Sequence, residues 1–322
     1  MTKPRITICI CTYDRYDLLP KAIASAQGQS LARSTYRILV IDNSPDHGQA
    51  AVFGSRYHAL PLFEYRVEKT PGLANARNVG ARECGTEFIA YLDDDAIASA
   101  EWLGNLLHGF DDFGTEVDIV GGRVDPIWES PRPDWLGDQL LSFVSAVDWG
   151  GDIRLAKADE WFAGTNIAFR TTAIIVAGGF DTRLGRVGAG ATLLSNEETV
   201  LMRHLRSQGK LAVYVPQASV RHLVERRRIT QAWFRKRASW QAVSDFIADP
   251  DGSHRAALRG WDIAMSYFFE LPPRERTIRG LHFDTDSPAL FKRQLDVLWH
   301  YTVMSLSGFD GVARIEQSDP AA

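Results

Sequence analysis

The sequence predicts an α/β protein with a mostly parallel central sheet flanked by helices, followed by a helical C-terminal extension. Strand-like and helix-like segments alternate over residues 1–125, the order that builds a layered α/β fold. The first run, "RITICIC", is β-branched and apolar, as a strand covered on both faces should be. Three of the strand-like runs end in polar clusters, "CTYDR", "IDNS" and "LDDD", at the edge where open parallel sheets bind ligands.

Taken in order, "RITICIC" (5–11) is the first buried strand. "DLLPKAIASAQGQ" has helical spacing, with Asp17 as N-cap and Pro20 in the first turn. "YRILVIDNS" is a second strand, "HGQAAVFGSRYHA" a helix and "FEYRVEK" a third, more exposed strand. "GLANARNVGARECG" reads as a helix closed by Gly85. "EFIAYL" is a fourth strand, "AEWLGNLLHGF" a helix and "VDIVGGRV" a fifth strand. From Pro126 the texture changes, and "PIWESPRPDWLGD" reads as an irregular loop. "WFAGTNIAFR" returns as a strand, "TTAIIVAGG" as a short helix, "NEETVLMRHLRSQG" as a helix closed by Gly209 and "KLAVYVP" as a strand. After His222, "VERRRITQAWFRKRASWQAVSDFI" reads as a basic, aromatic-studded helix, the rest as helical, and "ARIEQSDPAA" as a frayed tail.

Composition narrows the function. At 322 residues the chain can bury a substantial core, as one large domain or a domain with a subdomain. A net charge of -4 argues against a dedicated nucleic-acid binder. No stretch approaches the roughly 18 apolar residues that span a bilayer, and the start lacks a signal-peptide layout. Three cysteines without metal spacing suit a reducing cytoplasm.

The acidic run Asp93-Asp94-Asp95 raises the sharpest question. Two unit charges 4 Å apart repel by about 4 kcal/mol at an effective dielectric of 20. Open solvent, raised pKa values or a bound cation would relieve that, and a loop cluster with Asp95 as a helix cap is the plain alternative. Position at the end of a buried strand favours a cation. Mg²⁺ and Mn²⁺ take hard oxygens and are commonly held by one or two carboxylates plus substrate phosphates, which a nucleoside diphosphate supplies. A dinucleotide site would need a glycine-rich turn after the first strand, where the chain has Thr12-Tyr13-Asp14-Arg15. Glu197 and Glu198 open a helix, where the dipole alone favours acids. Asp181 caps the following turn or meets hydroxyls of a ligand. Trp161 reads as core, and Trp135, amid prolines, as a platform for a sugar ring. Residues 221–237 read as a solvated basic face or a surface for anionic lipid headgroups.

In the order "ICTYDR", "VIDNS", "GLANARNVG", "AYLDDDA", "GTNIAFR", "GGFD", "NEET" and "VRHLV", residues 5–245 resemble the GT-A glycosyltransferases of family 2, especially bacterial exopolysaccharide glucosyltransferases of the succinoglycan type. The resemblance implies a Rossmann-like GT-A domain. Residues 1–125 would form its nucleotide-sugar-binding half, 126–245 its acceptor-binding and catalytic half, and 246–322 a helical extension. It implies that Thr12, Tyr13 and Arg15 lie near the nucleotide and that Asp42 reads the base. Gly72 and Arg77 would make base- and phosphate-side contacts, and Asp94 or Asp93 would hold the ribose. It makes Asp95 the ligand of Mn²⁺ or Mg²⁺, with His222 on the metal or the diphosphate, and brings Arg228 toward that diphosphate. Glu198 takes the general-base position, although the family usually has aspartate there, and Glu197 would orient the acceptor. The implied enzyme is a metal-dependent inverting hexosyltransferase. It would use a nucleotide sugar, a UDP-hexose by preference, and a glycan or lipid-linked saccharide acceptor. It would be cytoplasmic, with peripheral contact to the inner membrane. A sugar nucleotidyltransferase, or a non-catalytic nucleotide- or glycan-binding module, is the alternative.

Overall fold

A computed structural model describes residues 3–188 and 192–317, with side chains through residue 308. The chain forms two compact units, Met1–Ile127, Ser145–Ala191 and Glu197–Val224 in one, and Trp128–Val144, Thr192–Asn196 and Glu225–Ala322 in the other.

The first unit is built on a nine-stranded sheet. Strands β1 (Ile6–Thr12), β2 (Tyr36–Asp42), β3 (Phe63–Val67) and β4 (Phe88–Asp93) are parallel in the order β3-β2-β1-β4. Helices α1 (Leu19–Gln27), α2 (His47–Ser55) and α3 (Leu73–Glu83) connect them. The chain continues through β5 (Ala96–Ala98), α4 (Trp102–Asp111), β6 (Val117–Trp128), β7 (Arg154–Leu155), β8 (Ile167–Arg170), α5 (Thr171–Val176), α6 (Glu197–Ser207) and β9 (Leu211–Val224). These strands extend the sheet as β4-β8-β6-β9-β5, with β7 on β9; the recorded pairings of β4 with β8, β6 with β8, β5 with β9 and β7 with β9 are antiparallel. Side chains alternate across the sheet. Ile6, Ile8 and Ile10 enter one apolar layer with Trp102 and Phe110, while Cys9 and Cys11 enter the other with Tyr91, Phe162 and Phe169. All three thiols are free and buried.

The second unit holds α7 (Gln231–Ala248), α8 (Pro250–Glu270) and α9 (Pro288–Gln317). Trp135 packs edge-to-face on Phe234 and Phe291, with ring centroids 5.3 and 5.0 Å apart. Asp245 accepts hydrogen bonds from Asn196 Nδ2 (2.7 Å), Gln241 Nε2 (2.8 Å) and Trp299 Nε1 (2.7 Å). No helix among the described residues is long and apolar enough to cross a membrane.

Several local expectations need correction. Leu18, not Asp17, occupies the N-cap of α1, where backbone bonds from Leu18 and Leu19 to the Arg15 carbonyl close the turn. β6 runs on through Pro126 to Trp128, into the expected loop, and β9 runs on past Pro216 to Val224. The helix expected directly after His222 begins at Gln231, where Thr230 caps it by accepting from Trp233 N–H. Its basic face is not simply solvated: Arg235 is buried, donating to Asp284 at 2.8 Å and to the Phe283 carbonyl at 2.6 Å. The tail is helical as far as Gln317, and residues 318–322 lie outside the described residues.

Candidate active site

Strand register sets the level of the site. Thr12 lies opposite Asp42 of β2 and Cys11 opposite Asp93 of β4, so three polar strand ends meet at one edge. Beyond Asp93, the short β5 pairs with β9 and sets Ala96 opposite His222. The Leu223 N–H donates to the Asp95 carbonyl at 3.0 Å. This small ladder brings His222 Nε2 to 3.1 Å from Asp95 Oδ1.

Each aspartate faces different groups. Asp93 accepts from Arg77 Nη2 at 3.3 Å. Asp94 accepts from the Thr12 hydroxyl at 2.7 Å, with Arg15 Nε 3.7 Å away. Asp95 Oδ2 lies 2.9 Å from Arg15 Nη1. Two arginines of the chain therefore meet part of the repulsion. The rest appears at Asp94, pushed up to about 8 by burial and then by the neighbouring Asp95 charge. Donor atoms of Asp93, Asp95 and His222 lie within 4.8 Å of one another. His222 Nδ1 is buried without a hydrogen-bond partner. Two carboxylates and an incompletely satisfied imidazole are a donor set that fits a divalent cation. Asp93 was expected only as a ribose contact. β4 ends at Asp93, and Asp94 and Asp95 form the turn before β5, so no strand alternation in the sequence signals that Asp93 and Asp95 face one point.

The second carboxylate group opens α6. Arg77 Nη1 lies 2.6 Å from Glu197 Oε1 and 4.0 Å from Glu198 Oε2. The Glu197 side chain is 4% exposed and that of Glu198 15%, so Glu198 is the more accessible of the two. Burial, then the Glu197 charge, pushes Glu198 up to about 7. One oxygen of each, Glu197 Oε2 and Glu198 Oε2, lacks a hydrogen-bond partner.

The remaining expected residues are placed as follows. Tyr13 is half-buried, and Gly72 caps α3 at a φ of 125° that suits glycine. Asp42 is wholly buried, with Oδ1 accepting from Ser44 N–H (2.9 Å) and Oγ (2.5 Å) and Oδ2 from the Tyr16 (3.1 Å) and Tyr65 (2.5 Å) hydroxyls. Its carboxylate is thus fully engaged inside the chain. Arg77, expected at the nucleotide, is only 3% exposed and faces carboxylates. Asp181 accepts from the Arg183 N–H at 2.9 Å and pairs with the Arg183 side chain at 2.7 Å, which is the local capping role. Trp135 and Arg228 belong to the second unit. Sequence reasoning did not find Asn166, which is wholly buried. Its Nδ2 donates to the carbonyls of Arg123 and Ala218, and its Oδ1 accepts from Trp102. It ties β6 to β9.

A model of Glycosyl transferase family 2 matches residues 7–175, just over half of the 322 residues. The chain belongs to this glycosyltransferase family. The matched stretch contains the triple aspartate and ends in α5, ahead of Glu197, Glu198 and His222. Among relatives of this family 2 member, a glucosyl-dolichyl phosphate glucuronosyltransferase of Haloferax volcanii is 25% identical over 76% of the chain and 77% of its own length. The succinoglycan biosynthesis protein ExoM of Rhizobium meliloti is 25% identical over 81% and 80%. In solved structures the same fold occurs in a mannosyltransferase of Pyrobaculum calidifontis in complex with GDP-Man and Mn²⁺, with a TM-score of 0.60 at 19% identity over 96% of this chain and 88% of that one. GalNAc-T7 with UDP, GalNAc and Mn²⁺ gives a TM-score of 0.51 at 16% identity, over 69% and 43%. The fold is GT-A, and the chain is a glycosyltransferase.

Proposed function

We propose that this glycosyltransferase is an inverting hexosyltransferase that takes its sugar from a UDP-hexose and passes it to a hydroxyl of a glycan or lipid-linked saccharide. One observation carries the reading: Asp93 of the Asp93–Asp95–His222 group and Glu197, neighbour of a Glu198 held near 7, meet the same buried arginine. The Pyrobaculum and GalNAc-T7 structures, with their nucleotide sugar or nucleotide and Mn²⁺, support the donor class. The Haloferax relative supports a lipid-linked acceptor, which would bring the chain to the cytoplasmic face of a membrane. The sugar nucleotidyltransferase reading finds no support in the family match.

Asp93, Asp95 and His222 would hold a divalent cation, Mn²⁺ in preference to Mg²⁺ because one donor is nitrogen; when bound, it supplies Lewis-acid stabilisation to the departing diphosphate. Arg15, at 3.7 Å from Asp94 and 2.9 Å from Asp95, is a cation that would turn to those phosphates. Asp94, linked to Thr12, takes the ribose, since Asp93 faces Arg77. Asp42 acts indirectly, fixing Tyr16 and Tyr65 beside the nucleoside rather than touching the base. Glu198 accepts the proton of the acceptor hydroxyl. That oxygen attacks the anomeric carbon opposite the diphosphate, the new C–O bond forms as the bond to the diphosphate oxygen breaks, and configuration inverts. Proton NMR of the first product tests this. An anomer opposite to the donor's is expected, and retention contradicts the mechanism.

A further inference from the structure

Arg77 stands where charge is expensive. A guanidinium only 3% exposed loses most of its hydration, which is tolerable only with close carboxylate partners. It has three: Glu197 at 2.6 Å, Asp93 at 3.3 Å and Glu198 at 4.0 Å. Its charge also lies over the rings of Tyr91 (5.9 Å) and Phe180 (5.8 Å). The Tyr91 hydroxyl donates to the Arg77 carbonyl at 2.9 Å, which fixes its backbone. The slot is kept open by Gly164, where a Cβ would overlap the Arg77 guanidinium. Nothing in this arrangement leaves the guanidinium turned toward a phosphate.

The two carboxylate groups it joins come from distant parts of the chain. Asp93 ends β4, whereas Glu197 and Glu198 begin α6. Transfer requires the base and the leaving-group site to stand at a fixed separation, and a misplacement of about 1 Å can cost 10²-fold. We propose that Arg77 is a positioning residue that locks the Glu197–Glu198 pair to the aspartate edge, and that it is not a ligand of the donor. Glu197 is the anchor of the pair, spending its one bonded oxygen on Arg77 and leaving Glu198 to face the acceptor. The inference rests on the transferase reading above.

The test compares wild type with Arg77→Lys, Arg77→Met and the double variant Arg77→Met/Glu197→Gln. The double variant removes the buried pair together and so avoids leaving Glu197 unpaired. UDP binding is measured by calorimetry with Mn²⁺, and transfer by kcat and KM across pH 5–9. Arg77→Met should bind UDP within threefold of wild type and keep its donor KM, while kcat falls 100-fold or more. Its kcat should also need higher pH, because the arginine charge favours ionised Glu198. Arg77→Lys should recover at least tenfold of the lost kcat. If Arg77→Met does not fold, the double variant carries the same expectations for UDP affinity, KM and kcat. UDP affinity or donor KM worsening in step with kcat would make Arg77 a donor ligand and overturn the proposal, as would an unchanged kcat. A wild type that binds UDP and transfers sugar keeps those outcomes separate from failure of the functional reading. A wild type that neither binds nor transfers overturns both.

Discussion

At Glu198, burial does two things at once. It raises the carboxyl to about 7, suiting a base that works near neutral pH, and it makes the ionised form costly to the fold. The folded value lies above the ordinary 4.5, so this group's contribution to stability is complete below about pH 4.5 and is lost as pH rises through about 7. Glu198→Gln is therefore expected to cut kcat by about 10²–10⁴-fold. In metal-free buffer at pH 8 it should also be more stable than wild type, on the order of 2 kcal/mol, with the gain gone by pH 4.5. Thermal unfolding at the two pH values checks the sign. The identities of the acids were legible in the sequence, since "LDDD" and "NEET" stand where strand and helix ends must fall. Their partners were not. Which aspartate meets Arg15, Arg77 or His222 depends on contacts between residues far apart in the chain, and Asp42 Oδ2 owes its bonds to Tyr16 and Tyr65, whose role no local pattern announces.

Among the elements, most strands and helices of the parallel half were readable because their apolar runs are short and bounded by turn residues. The misjudged strands share a cause. β6 contains Pro126 and β9 contains Pro216, and a residue without an N–H normally argues against strand continuation. β5, with three residues, is too short to show a period, yet it is the element that brings His222 to Asp95. On the other side of β9, Gly122 of β6 lies so close that a Cβ would overlap the Ala218 carbonyl oxygen. Gly122→Ala should destabilise by about 1–3 kcal/mol or more, read by urea unfolding. In the second unit, Asp245→Ala removes the shared acceptor of Asn196, Gln241 and Trp299. A loss of about 2 kcal/mol is expected in the same assay.

For the whole molecule, the family match runs from β1 to α5 and stops before α6, so the edge that carries the three aspartates is the part most open to recognition. The helical character of residues 246–322 was legible, but the ties of α7 to Asn196, Asp284 and Trp299 were not, because they join segments with no common motif. On the proposed reading, Asp93, Asp95 and His222 form the cation site through which a nucleoside diphosphate is bound. Calorimetric titration of UDP into wild type and Asp95→Asn, each with Mn²⁺ and with EDTA, tests it most directly. Binding to wild type that requires Mn²⁺ and falls at least 100-fold in Asp95→Asn is the predicted result. Equal UDP affinity in Mn²⁺ and EDTA, or an undiminished affinity in the variant, would contradict it.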